Sequence, residues 1–182
     1  MNREVTDAAS WAANADHFRN SSLREKVIEH LFVGELLRTL WCSGRYDFEV
    51  LRAEVDRSGY DLVFECNGVL RHLQLKSSYA GARTSTVDVH ISLQAKPHGC
   101  VIWVLFNPKN LLLGPYRWLG EDAASGPLSL ASMRVAKHKK ADSKGRKAEK
   151  PDIRVVRQKY FRCLHTIDEV ADCLFGLGRT SV

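Results

Sequence analysis

Three polar residues of this 182-residue chain, Asp61, Gln74 and Lys76, have the types and spacing to form one reactive centre if a β-hairpin brings them together. A carboxylate and an amide carbonyl are hard oxygen donors suited to a divalent cation. An ammonium beside them can orient or help deprotonate water and offset charge building up on a phosphate. Asp61 would offer a carboxylate oxygen, Gln74 its side-chain carbonyl and Leu75 its backbone carbonyl to Mg2+ or Mn2+, with waters completing an octahedron. The chemistry that such a set suits is metal-assisted hydrolysis of a phosphodiester.

The elements around these residues predict that they meet. Tyr60–Cys66 and Val69–Lys76 are β-rich runs separated by Asn67-Gly68, the strongest short hairpin signal, because a type I′ turn needs positive φ at both central positions. That turn pairs Cys66 with Val69, Phe64 with Arg71 and Asp61 with Gln74. Alternation then puts Leu62, Phe64, Cys66, Val69, Leu73 and Leu75 on a core face, with Arg71 discordant. The opposite face carries Asp61, Val63, Glu65, Leu70, His72, Gln74 and Lys76, so three polar side chains converge at one end of the hairpin.

Around the hairpin, apolar spacing predicts a helix over 23–42, capped by Asn20, Ser21 or Ser22 and buried around most of its circumference. Strands are expected at 48–54, at 84–93 with alternating Val87, Val89, Ile91 and Leu93, and at 100–106 as a central strand. The Pro-, Gly- and aromatic-rich stretch 107–126 reads as irregular structure or a short helix. A basic loop over 135–152, a short strand at 153–156 and a helix at 166–175 with Ile167, Val170 and Leu174 inward complete one domain.

The stretch Ser58-Gly59-Tyr60-Asp61-Leu62-Val63, the hairpin, and then Leu73-Gln74-Leu75-Lys76-Ser77-Ser78 resemble the core of the PD-(D/E)XK nuclease superfamily, in its QxK variant. That superfamily includes restriction endonucleases and archaeal Holliday-junction resolvases. The resemblance covers about 23–106 and implies an α/β (α+β) fold of the restriction-endonuclease-like type. Its αβββαβ core would be a mixed central sheet flanked by helices. It further implies that Asp61 and Gln74 hold Mg2+ or Mn2+, that Lys76 is catalytic, and that the substrate is nucleic acid, DNA in the first instance.

Gln74 in place of an acidic residue removes a negative charge from the metal seat, so another carboxylate is needed. Family members often supply a glutamate from the first helix. Glu29 is favoured because Phe32, Val33 and Leu36 follow it on the apolar face, where a charge needs a partner or a metal. Glu35 competes for the role, and Glu25 ranks third. The weakened seat also keeps open a catalytically silent nuclease-fold module that binds nucleic acid or a partner protein.

Net charge is +6, and the stretch 137–150 holds seven basic side chains against Asp142 and Glu149, a net +5. Lys139, Lys140, Lys144 and Lys147 are the expected phosphate-backbone contacts, on a loop that could equally be solvated in the absence of ligand. Five scattered cysteines without a CxxC pair favour a reduced, cytoplasmic protein, and no histidine spacing suggests zinc. No stretch reaches the roughly 18 apolar residues of a membrane span, and residues 1–13 do not read as a targeting segment. Double-strand cutting with one centre per chain would suit a homodimer.

Overall fold

The structure, a computed structural model, describes residues 19–55, 58–121, 126–138, 140 and 145–176. Helix α1 (Ser21–Cys42) forms where the apolar residues recur at helical spacing, and it buries Ile28, Phe32, Val33, Leu36 and Leu40. It is less enclosed than its sequence suggests. Leu31 and Trp41 stand in solvent at 39% and 61% exposure, so one stripe rather than most of the circumference faces the core.

Strands β1 (Phe48–Arg52), β2 (Leu62–Cys66) and β3 (Val69–Tyr79) follow as an antiparallel meander. Asn67 and Gly68 have φ of 48° and 77°, as the two-residue turn requires. The register is the expected one from Cys66↔Val69 through Phe64↔Arg71 to Leu62↔Leu73. Leu62, Phe64, Cys66 and Leu73 lie in the main core, with Val69 and Leu75 packed against it. Arg71, the discordant member of that face, is buried for a reason the strand pattern does not contain. Its guanidinium donates to the carbonyls of Leu174 (2.6 Å), Cys173 (3.3 Å) and Glu121 (3.1 Å).

The chain then leaves the sheet through β4 (Thr86–His90) and a 3-10 helix (Ile91–Ala95), and returns as β5 (Gly99–Phe106), parallel to β3. The strand expected over 84–93 therefore ends at His90. This crossover carries a strand and a 3-10 turn where the αβββαβ pattern would have an α-helix. Strand β6 (Leu113–Gly120) lies within 107–126, contrary to the expectation of irregular structure there. Pro115 sits near the start of that strand, where a missing amide is tolerated, and Tyr116 and Trp118 alternate into the core.

Two further strands, β7 (Arg134–Lys137) and β8 (Glu149–Arg157), precede β9 (Arg162–Leu164) and helix α2 (Ile167–Phe175). Among the described residues the central sheet is six-stranded and mixed, in the order β1-β2-β3-β5-β6-β9, and a second sheet has the order β4-β8-β7. The fold is α+β. Both helices contribute to the core on one face of the central sheet, through Ile28, Phe32, Leu36, Val170 and Leu174. A separate cluster joins Val101 of β5 to Val89 and Val156 of the second sheet. Helices thus cover one face, and a small sheet packs on the other. The basic loop is the connection of the β7–β8 hairpin, closed by His138 N–H donating to the Ala148 carbonyl at 2.8 Å.

Candidate active site

Strand β3 runs on past the end of β2, whose regular pairing stops at Leu62↔Leu73. Beyond that point the edge of β3 that faced β2 opens onto a cleft of about 650 Å³. Glu25 and Glu29 of α1, Asp61, Leu75 and Lys76 of β3, and Asp88 of β4 are among the residues lining it. Asp61, Leu75, Lys76 and Glu29 thus line one cleft.

The local geometry departs from a simple cross-strand pair. Asp61 N–H donates to the Leu73 carbonyl at 2.8 Å, its own carbonyl accepts from Ala53 at 3.0 Å, and its Oδ2 accepts the Leu75 amide proton at 2.7 Å. Gly59, at φ +75°, turns the chain just before this point, and a Cβ there would lie 2.7 Å from the His90 Cβ. The expected Asp61–Gln74 pairing is therefore replaced by a carboxylate that continues the ladder along β3. Because the amide and carbonyl of one strand residue face the same edge, the Leu75 carbonyl shares the cleft side with the Asp61 carboxylate.

Gln74 lies elsewhere. It is 2% exposed, it is absent from the cleft lining, and its Oε1 accepts from His90 N–H at 3.2 Å. The oxygen that the sequence pattern offers to a cation is engaged by backbone instead. Lys76, two residues on, lines the cleft. The alternation that buries Gln74 carries Lys76, half-buried, to the cleft, where Val87 and Asp88 of the second sheet also line it.

Of the three helix glutamates, the structure separates Glu35 from the others. Glu35 Oε2 accepts from the Tyr116 hydroxyl at 2.8 Å, away from the cleft lining. Burial first, and the bond to this carboxylate second, push the Tyr116 phenol well above its ordinary value. Glu29 is buried at the cleft wall between Lys26 Nζ (2.9 Å) and Arg52 Nε (3.6 Å), and Glu25 is exposed beside it. Asp88 is a cleft carboxylate that sequence reasoning missed. Alternation over 84–93 predicts its strand, but its place across from β3 depends on β4 folding back in a second sheet, and no local pattern reports that.

The cleft presents oxygen donors, the class that Mg2+ or Mn2+ prefers. Among the described residues no three His, Cys, Asp or Glu side chains converge closely enough to hold a metal ion by themselves. A cation here would need the Leu75 carbonyl and water as well as carboxylates. Ser77 and Ser78 line the same cleft, and Ser78 Oγ accepts from the Trp103 indole at 3.0 Å. His72, placed at mid-strand by the sequence pattern, has its Nδ1 2.9 Å from the Pro97 carbonyl oxygen.

The basic-loop residues Lys140 and Lys147 are exposed, while Lys139 and Lys144 lie outside the described residues. All five cysteines are free, and burial raises the thiol pKa of Cys66 and Cys100. Among the described residues no helix is long and apolar enough to cross a membrane.

No protein-family model matches the sequence, and no curated protein matches it either. Among solved structures the chain is similar to the Holliday junction resolvase of the archaeal hyperthermophile Archaeoglobus fulgidus. The two are 14% identical, over 78% of this chain and 98% of that one, with a TM-score of 0.37. A bacterial homing endonuclease is similar over 52% of this chain and 72% of its own, at 23% identity and a TM-score of 0.25.

Proposed function

We propose that this protein is a metal-dependent nuclease that hydrolyses phosphodiester bonds in DNA, with Asp61, Lys76 and Glu29 at the reacting centre. The observation that supports it most strongly is the arrival of these three side chains, from the entry to β2, from β3 and from α1, at one open cleft. The sequence resemblance to the PD-(D/E)XK core assigns roles to the same positions.

In this reading Asp61, the Leu75 carbonyl and Glu29 would hold Mg2+ or Mn2+. When bound, the ion would supply Lewis-acid polarisation of the phosphate and a more acidic water. Lys76 brings a positive charge to the scissile phosphate and hydrogen-bonds the attacking water. The Leu75 amide fixes the Asp61 carboxylate, so that its aim does not depend on the cation. Lys26 and Arg52 hold Glu29 at the wall and lower the cost of keeping its charge there. Gln74 serves as a positioning residue, since its bond to His90 N–H fixes β3 against β4.

The test is to incubate purified protein with linear, branched and single-stranded DNA in Mg2+ or Mn2+. Cleavage that Asp61→Asn and Lys76→Ala both abolish supports the reading. Undiminished cleavage by those variants removes the site assignment. Parallel assays on RNA decide the sugar, because a cation seat and backbone contacts do not discriminate it.

A second reading is favoured by two observations, the engagement of Gln74 Oε1 by backbone and the lack of a three-carboxylate cluster among the described residues. On that reading the chain is a silent nuclease-fold module that binds nucleic acid. Calorimetry with no heat of Mg2+ or Mn2+ binding, alongside salt-sensitive DNA binding, would select it.

A further inference from the structure

The start of β4 and the two residues before it divide two depressions. Thr84, Val87 and Asp88 line the cleft, whereas Ser85 and Thr86 line a second, open pocket of about 570 Å³. The charge of this pocket is one-sided. Arg117 of β6, Arg157 at the end of β8 and Lys159 of the 3-10 turn 158–160 line it, Phe161 forms an apolar wall, and no Asp or Glu contributes. Among the described residues none of these three cations has an ion-pair partner.

Three positive side chains kept together without a carboxylate repel one another, an arrangement that an anion would relieve. Arg117 is also held in place: its guanidinium carbon lies 4.5 Å from the centroid of the Trp103 ring, and burial lowers its pKa from the ordinary arginine value. A stacked, partly desolvated guanidinium pre-sets the planar fork that matches phosphate oxygens. The same Trp103 donates to Ser78 at the cleft and packs edge-on against Phe161 at 5.6 Å. One indole thus adjoins both depressions.

We propose that this pocket seats a backbone phosphate of the nucleic-acid strand that enters the cleft, so that the strand is gripped on both sides of the β4 entry. Arg117 and Arg157 supply the forks, Lys159 supplies a point charge, and Phe161 offers a face on which a neighbouring base can stack. The inference rests on the nuclease reading of the cleft.

The experiment is fluorescence anisotropy of the full chain on labelled duplex DNA in EDTA, across a salt series, with cleavage assayed separately in Mg2+. Arg157→Gln/Lys159→Gln changes two exposed residues and should melt like the wild type. The slope of log affinity against log salt is expected to fall in magnitude by about 0.9, for the one phosphate contact removed. A charge-matched control, Arg38→Gln/Lys109→Gln, should leave the slope unchanged. An unaltered slope in the pocket variant, or an equal loss in the control, overturns the proposal. So does a pocket variant that keeps its DNA affinity and loses binding to an acidic peptide. A reduced slope without cleavage by the wild type would retain the pocket and sink the nuclease, and cleavage with an unaltered slope would do the reverse.

Discussion

Asp61 Oδ2 accepts the Leu75 amide proton at 2.7 Å, so that one side chain stands where the next residue of a partner strand would otherwise be. This bond fixes a carboxylate at an open sheet edge and sets its distance from Lys76 through the backbone of a single strand.

The bond separates two substitutions at the same position. Asp61→Asn keeps an acceptor for Leu75 and should melt close to the wild type while losing cleavage by about 100-fold or more. Asp61→Ala leaves a part-buried amide unsatisfied and should lose about 1–3 kcal/mol in urea denaturation as well. Equal stability of the two variants would mean that the carboxylate does not hold the edge.

Gln74 is expected to behave as a support and not as a ligand. Gln74→Glu places a carboxylate at a position 2% exposed, which should lower stability by about 3 kcal/mol at neutral pH. Saturating Mg2+ should leave that loss in place. Recovery on adding the metal, read by thermal melting, would return residue 74 to the coordination shell.

Arg71 is predicted to be a large contributor to stability despite its charge. Arg71→Leu removes donors to three carbonyls, two of them in the last turn of α2 and its end, and should destabilise the protein by about 3 kcal/mol. A urea midpoint equal to that of the wild type would contradict this account.

Alkaline pH should weaken the fold in two steps. Burial raises the Cys100 thiol from 9.0 and the Tyr116 phenol from 10.0, so above those values the unfolded chain ionises while the native one stays protonated. Stability is fully present below pH 9.0 and declines as pH rises, more steeply beyond 10.0. Tyr116→Phe should be less stable by about 1 kcal/mol at neutral pH, through loss of the bond to Glu35, and should lack the second step. A urea midpoint that stays level above pH 10.0 in the wild type would refute the assignment.

Replacing Lys139, Lys140, Lys144 and Lys147 by Ala should reduce DNA affinity across all sequences and flatten the salt dependence, by about 0.9 log units per lost phosphate contact. An unchanged slope would show that the β7–β8 connection is merely solvated.

The hairpin was legible because its determinants are local: Asn67 and Gly68 specify the turn, and alternation sorts every side chain from Leu62 to Leu73. The place of Lys76 in the cleft lining was legible for the same reason, and that of Glu29 because a charge among apolar neighbours on a helix stands out. The skewed seat of Asp61 was not, since it comes from Gly59 turning beneath His90, a residue 31 positions away in another sheet. Strand β6 was hidden by Gly114 and Pro115, which mark turns unless, as here, a neighbouring strand and a core for Tyr116 and Trp118 are available. Asp88 and the Arg117 pocket exist only through tertiary contact, and no period along the chain announces them.

The span of the Arg71 bonds orders assembly in time. The acceptors at Cys173 and Leu174 lie 102 and 103 residues downstream. A nascent chain whose helix α2 has not left the ribosome can offer this guanidinium the Glu121 carbonyl but neither of the two on α2. The meander bearing Asp61 and Lys76 can pair early, yet it gains this anchor only once translation has passed Leu174.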